Sequence, residues 1–336
     1  MSQRVMESCR GRGRGRGRGH GHGHGHGHGR LRGLVVLVVL AAVMAGFAGV
    51  VPEGGGPATA SPIAASGSIE TKSMTVDAGT RSYQLYRPAR ARAGQPLIVW
   101  LHGASKVRNG DPQELRRSST LLVEADRRGY SVVAPMQSLT ADRQGVWNIF
   151  DPANTVRGRG EAAIIAGIVR YSIRELHADP SRVYIVGHSA GGGMTETVSA
   201  VYPELFAAMA ISAGFPFLFD PTGIAQRTAR GGVPMPSFVV TGDRDRVAPP
   251  ILGGMAVSAA LAANGIAGAT PYSVTTVGAS GADRYPTRIS RFGHGRTEVV
   301  HADVLGADHP TGPGGVTVNG PALDRRLIAF LLAKRR

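Results

Sequence analysis

Val183-Tyr184-Ile185-Val186-Gly187-His188-Ser189-Ala190-Gly191-Gly192-Gly193-Met194 changes character twice within twelve residues. Arg182–Gly187 is a short apolar, β-branched run of strand length, the kind buried on both faces of a parallel sheet. Ala190–Val201 reads as a helix. Between them stands Gly-x-Ser-x-Gly, so Ser189 is expected on a sharp strand-to-helix turn. Such a turn lifts the hydroxyl above the sheet. It also sets it at a helix N-terminus, whose free N–H groups favour a developing negative charge. The flanking glycines suit a strained, closely packed backbone.

Outward from this point the same alternation recurs. Ser73–Asp77 and Ser82–Arg87 read as an antiparallel pair joined through Ala78-Gly79. Pro96–Leu101, Tyr130–Pro135, Phe206–Ala213 and Pro236–Thr241 are apolar runs of strand length, and Pro271–Val277 and Thr297–Leu305 are further strands. Glu161–Leu176 carries Ile164, Ile165, Ile168, Val169 and Ile173 at amphipathic helical spacing. Ile251–Ala263 and Pro321–Ala333 are also helical. Continuous strands separated by helices predict an α/β domain over residues 72–336, with a mostly parallel central sheet and helices on both faces. Functional loops in such sheets lie at the carboxyl ends of the strands.

A serine hydroxyl is a poor nucleophile until a neighbouring base takes its proton. With the turn that Ser189 occupies, the acid and then the histidine follow in chain order. That order leaves His294, His301 and His309. His309 is favoured because it follows the last strand, in the Gly/Pro-rich loop 306–315; His294 lies in a hairpin-like turn and His301 within a strand. The acid is expected after Val239-Val240-Thr241, where Asp243 and Asp245 both stand. Asp245 is the choice for orienting the imidazole, and Asp243 reads as a turn residue bonding its own backbone. An oxyanion would be held by the N–H of Ala190 and by that of Gly103 or Ala104, in the loop after Pro96–Leu101.

The first sixty residues have another character. Arg alternates with Gly from Arg10 to Arg18, and His with Gly from His20 to His28. With nothing apolar to bury, residues 1–33 are expected to be a disordered basic tract. Leu34–Val51 is an apolar run, followed by Ala58-Thr59-Ala60. A basic stretch, an apolar stretch and an A-x-A site make residues 34–60 a secretory signal and cleavage segment, with an uncleaved membrane anchor as the alternative. Residues 61–71 read as a linker.

Composition narrows the classes further. Hydrophobic residues make up 42% and charged residues 18%, which excludes wholesale disorder and a multi-span membrane protein. The single cysteine, Cys9, excludes an intrachain disulfide and a thiolate metal cluster. Net charge is +15, and eight arginines against Glu7 and Glu53 place six of those charges before residue 61. The Arg-Gly tract is similar to nucleic-acid-binding segments, but anything before a cleaved signal is discarded. No nucleic-acid partner is therefore expected.

Val146-Trp147-Asn148-Ile149-Phe150, Gly160-Glu161, the run from Asp179 to Met194, Tyr202–Ala208 and Ser212-Ala213-Gly214 together resemble the polyhydroxybutyrate depolymerase family, with its feruloyl and acetyl-xylan esterase relatives. The resemblance covers roughly residues 72–315. It implies an α/β-hydrolase fold, a secreted serine esterase without cofactor or metal, and Ser189, Asp245 and His309 as its triad. It also implies that Trp147 and Asn148 lie beside the cleft as substrate-binding residues. Ala104 and Val146 stand where the family often has cysteines, which fits a lost disulfide. The family's tryptophan after the base is absent from Asp308-His309-Pro310-Thr311-Gly312, and the acid loop is one residue tighter between Asp245 and Val247.

The expected substrate is a carboxylic ester, first of all a hydroxybutyrate oligomer or polyhydroxyalkanoate-type polyester. No polymer-binding module is seen after the hydrolase domain, which favours oligomers or small soluble esters. Feruloyl or acetyl-xylan esterase is the alternative with the same triad. A catalytically silent surface binding protein on a hydrolase scaffold is the rival of another class.

Overall fold

A continuous apolar strand needs cover on both faces, and the computed structural model gives the central strands that cover. It describes residues 65–104, 115–116, 119–217, 220, 232–309 and 316–336. The basic tract, the apolar segment and loop residues 310–315 lie outside these. The chain divides into two units, Met1–Ala42 and Val43–Arg336, and every described residue belongs to the second.

The strands are β1 (Ser68–Val76), β2 (Gly79–Arg87), β3 (Leu97–Leu101), β4 (Ser131–Pro135), β5 (Val183–His188), β6 (Ala208–Ser212), β7 (Ser237–Gly242), β8 (Ser273–Val277), β9 (Thr287–Phe292) and β10 (Val299–Val304). The helices are α1 (Ser119–Arg128), α2 (Gly160–Glu175), α3 (Ala190–Val201), α4 (Pro250–Ala263) and α5 (Pro321–Leu332). Among the described residues the strands form one ten-stranded sheet in the order β1-β2-β4-β3-β5-β6-β7-β10-β9-β8. From β4 to β10 every pairing is parallel. An antiparallel pair extends each side, β1-β2 and β9-β8. This is the α/β-hydrolase fold, with the β8–β9 excursion added at one edge.

The parallel strands β3, β4, β6 and β7 are buried along their whole length. Helix α3 is buried at every position. That burial on both sides explains why these segments carry no polar alternation. Helix α2 begins at Gly160 with φ +63°, and the side chain of Asn154 accepts the Ala162 N–H at 3.1 Å, satisfying one of the free donors of its first turn.

Three features differ from the sequence reading. The sheet starts at Ser68, inside the stretch read as linker; Ser66 and Gly67 are also tied in, through Asp126 and the Tyr86 hydroxyl. Long-range pairing with β2 gives order to residues whose own pattern is polar. Helix α1 and strand β9 have no counterpart in the expected elements. β9 carries Arg288 and Arg291, whose charges are met by Asp303 and Glu298, so its polar character does not reveal a strand. Among the described residues no helix is long and apolar enough to cross a membrane.

The loop returning from His309 rejoins the fold at Val316 and Thr317, whose N–H groups both donate to the buried carboxylate of Asp324 on α5 (3.1 and 2.8 Å). Burial pushes this carboxyl up from 3.8 to about 6 despite those bonds. The folded protein therefore holds a proton that the unfolded chain releases between these two values. The contribution to stability is present in full below the lower value and lost as pH rises through the upper one. At ~1.4 kcal/mol per pH unit this amounts to roughly 3 kcal/mol. Asp324→Asn is expected to remove this component. Thermal unfolding of both proteins across that pH window checks it, and parallel pH profiles would refute it.

Candidate active site

Strand β5 delivers Ser189 to the carboxyl end of the sheet at φ 53° and ψ −122°, the strained elbow that the motif requires. Its N–H donates to Ser212 O at 2.9 Å, pinning the turn to β6. Both motif glycines are demanded by close backbone approach. A Cβ on Gly187 would lie 2.1 Å from Gly191 O, and one on Gly191 would lie 2.1 Å from Leu101 O. The second contact presses the start of α3 against the end of β3, where the loop carrying Gly103 leaves the sheet.

Asp245 and His309 arrive on two loops that close against each other. Arg244 N–H donates to Ala307 O at 3.0 Å, and Arg246 N–H to Asp308 Oδ1 at 3.2 Å. Asp243 bonds Gly306 N–H at 2.5 Å. It therefore fastens the neighbouring loop, where the sequence reading had it bonding its own turn. Asp245 is buried, and its Oδ1 accepts the N–H groups of Val247 (2.9 Å) and Ala248 (2.7 Å). Its Oδ2 lies 2.7 Å from His309 Nδ1, and His309 Nε2 lies 3.0 Å from Ser189 Oγ. A carboxylate can only accept, so Nδ1 carries the ring proton and Nε2 is left to accept from the serine hydroxyl. This is a hydrogen-bond chain able to draw a proton from Ser189.

The other histidines are engaged elsewhere. His301 Nε2 lies 3.0 Å from Thr241 Oγ1, and burial lowers its pKa. His294 stacks on Tyr272 with centroids 4.3 Å apart. It precedes β10, at the amino ends of the parallel strands, about 20 Å from their carboxyl ends at ~3.3 Å per residue. His188 lies beside His309, ring centroids 5.3 Å apart. Burial, with the His309 charge as the lesser cause, drives its pKa down to about 3, so it stays neutral and does not compete as a base.

Gly103 faces the nucleophile: a Cβ there would lie 3.2 Å from Ser189 Cβ. Ala104, the last described residue of this stretch, is exposed. The first N–H groups of α3, Ala190's included, have no intrahelical acceptor by helix geometry. Donors are thus available on two sides of Ser189.

Trp147 and Asn148 are placed differently from the expectation. Trp147 is 1% exposed; its ring packs on His102 (5.1 Å) and its Nε1–H donates to His102 O at 2.9 Å. Asn148 gives its N–H to Glu161 Oε2 (2.8 Å) and its side-chain amide to Glu161 Oε1 (3.2 Å). Neither side chain presents a free polar group for a substrate: the indole fills the interior behind the Gly103 loop, and Glu161 takes up the amide. What sequence reasoning missed is this supporting layer of His102, Gln137, Arg81 and Glu161. Only Glu161, at the head of a helix, left a trace in the motif pattern. Among the described residues no group of His, Cys, Asp and Glu is arranged to hold a metal.

Residues 81–231 match the esterase PHB depolymerase family model, the family whose motifs the sequence resembles. The matched region contains Ser189 and the Gly103 loop, while Asp245 and His309 lie beyond it. Feruloyl esterase B of Neurospora crassa is 34% identical over 130 residues, 38% of this chain and 42% of that protein. Poly(3-hydroxyalkanoate) depolymerase C of Paucimonas lemoignei is 35% identical over 130 residues, 39% of this chain and 30% of its own length. The chain thus matches less than half the length of either relative. Among solved structures, acetyl xylan esterase from Aspergillus awamori superposes with a TM-score of 0.61 at 17% identity, covering 79% of this chain and 99% of the other. A thermostable esterase gives 0.55 at 18% identity, over 80% and 63%. At these identities the two structures show the shared fold.

Proposed function

We infer that this chain, an α/β-hydrolase that resembles the PHB depolymerase esterases through residues 81–231, is a serine esterase acting on carboxylic esters. The observation that carries the reading is Ser189 Oγ at 3.0 Å from His309 Nε2, with Asp245 behind the ring at 2.7 Å. Ser189 attacks the ester carbonyl while His309 takes its proton. The N–H of Ala190 and that of Gly103 or Ala104 hold the oxyanion. The tetrahedral intermediate collapses as His309 returns the proton to the leaving alcohol. Water, activated by the same imidazole, then releases the acid and restores Ser189. Asp245 fixes the tautomer and stabilises the imidazolium throughout. The proposal requires no cofactor.

The first substrate class is the hydroxyalkanoate ester, as an oligomer or polyester, supported by the family match and by the depolymerase relative. Ferulate and acetyl-xylan esters form the second reading, supported by the feruloyl esterase of similar identity. Export from the cell is part of the proposal and rests on the apolar run Leu34–Val51 and the A-x-A that follows.

The test is a matched panel of hydroxybutyrate oligomers, methyl ferulate, acetylated xylan and p-nitrophenyl esters, with fluorophosphonate labelling of the folded protein. Fastest turnover of the oligomers supports the depolymerase-type substrate. Preference for ferulate or acetyl esters moves the substrate to plant polymers. No turnover and no adduct on Ser189 would leave a binding protein on a hydrolase scaffold.

A further inference from the structure

A buried polar relay stands behind the Gly103 loop, and the site described above leaves it unused. Glu161, in the first turn of α2, gathers donors from three other segments. Its Oε1 accepts from Arg81 Nη2 of β2 (2.9 Å), Gln137 Nε2 after β4 (2.5 Å) and Asn148 Nδ2 (3.2 Å); its Oε2 accepts the Asn148 N–H (2.8 Å). The Arg81 and Glu161 side chains are only 11% and 6% exposed. Gln137 is held at its other end too, because its Oε1 accepts from Arg81 Nε (3.1 Å) and from Ser138 N–H (2.8 Å).

From Gln137 the chain of bonds runs to the loop. The Gln137 N–H donates to His102 Nε2 at 3.0 Å, and His102 Nδ1 lies 2.6 Å from Gly103 O. A backbone N–H can only donate and a carbonyl can only accept, so the ring is the neutral tautomer with its proton on Nδ1. Trp147 holds the preceding carbonyl, His102 O, through its indole N–H. Both peptide oxygens of the loop are therefore drawn back into the interior. There are no cis peptides, and in a trans unit the N–H points opposite to the C=O. Holding His102 O inward turns the Gly103 N–H outward; holding Gly103 O fixes the direction of the Ala104 N–H.

We propose that Glu161, acting through Gln137 and His102 and assisted by Trp147, is a positioning residue that aims the loop's N–H donors at the oxyanion formed on Ser189. The inference rests on the esterase reading. It makes the carboxylate that lies deepest in this layer a determinant of transition-state stabilisation, without contact with substrate. Donors for an oxyanion act only when preorganised, and losing one costs on the order of 10²–10³ in kcat. A displaced donor costs up to that much.

The test compares an ester with its thionoester, p-nitrophenyl butyrate and O-p-nitrophenyl thionobutyrate, in the full chain. Sulfur is larger and a weaker acceptor than oxygen, so an aligned donor pair favours the ester. Misaligned donors lose that preference, whereas a reduced fraction of folded enzyme lowers both rates equally. Glu161→Gln keeps the shape but cannot accept from Arg81, Gln137 and Asn148 together. Trp147→Phe keeps an aromatic ring and removes only the bond to His102 O, so it serves where the first variant folds poorly. The expected result is a fall in ester kcat of about 10–100-fold, with a matching collapse of the ester-to-thionoester ratio and little change in KM. Ester and thionoester rates falling by one common factor, or not at all, in a wild-type background where Ser189→Ala abolishes turnover would overturn the inference and leave the esterase reading intact. Turnover that survives Ser189→Ala would instead overturn the reading on which it rests.

Discussion

Ser189→Ala is expected to reduce ester turnover by about 10⁴–10⁶-fold in kcat while the protein remains folded. The magnitude follows from what the hydroxyl does: without it no acyl-enzyme forms, and only donors and binding remain to assist water. The substitution keeps Cβ, so the elbow at φ 53° is neither relieved nor further strained, and the bond from the residue 189 N–H to Ser212 O persists. The measurement is kcat on whichever ester of the panel is turned over fastest, with circular dichroism and fluorophosphonate labelling alongside. Native dichroism, absent labelling and absent turnover are expected together. Residual activity within tenfold of wild type would remove Ser189 from the mechanism.

His309→Ala is expected to fall nearly as far. The double variant with Ser189→Ala should be no slower than either single one, because the pair acts as a unit. Asp245→Asn tests a subtler property. Asp245 Oδ1 is already committed to the N–H groups of Val247 and Ala248, so an asparagine keeps its oxygen there and turns its amide toward His309. That amide donates to Nδ1, the ring proton moves to Nε2, and the ring then faces Ser189 Oγ as a donor. The loss expected from the wrong tautomer is about 10⁴-fold in kcat with KM little changed. His294→Ala, at the far end of the sheet beside Tyr272, should remain largely active. An inactive His294→Ala and an active His309→Ala would move the base.

Much of this was legible in the sequence because it is local. The helix over Ala190–Val201 coincides with its expected span, and the parallel strands fall within a residue or two of their apolar runs. Chain order and loop character singled out His309 and Asp245 before their separation was known, although the two loops meet only through long-range bonds such as Arg244 N–H to Ala307 O. What the sequence concealed depends on tertiary partners. β9 hides behind arginines that are paired across the sheet edge, and β1 becomes a strand only by pairing with β2. Trp147 was taken for a substrate contact because residue type reveals chemistry but not direction; the fold turns its N–H to a backbone carbonyl. Glu161, an ordinary helix-start acid by sequence, becomes distinctive only when Arg81, Gln137 and Asn148 converge on it.

The elbow also bears on how far this protein can be hardened against heat. A serine at φ 53° and ψ −122° occupies territory natural to glycine, and such a conformation costs on the order of 1–3 kcal/mol. Ser189→Gly removes that cost where Ser189→Ala does not, so the glycine variant should melt several degrees above the alanine variant, at ~2–4 °C per kcal/mol for a domain of this class. Equal melting temperatures would mean that the surrounding bonds hold the turn without strain. The difference between these two inactive proteins measures how much thermal resilience the fold gives up to keep one hydroxyl in position, and no surface substitution that leaves the residue in place can recover it.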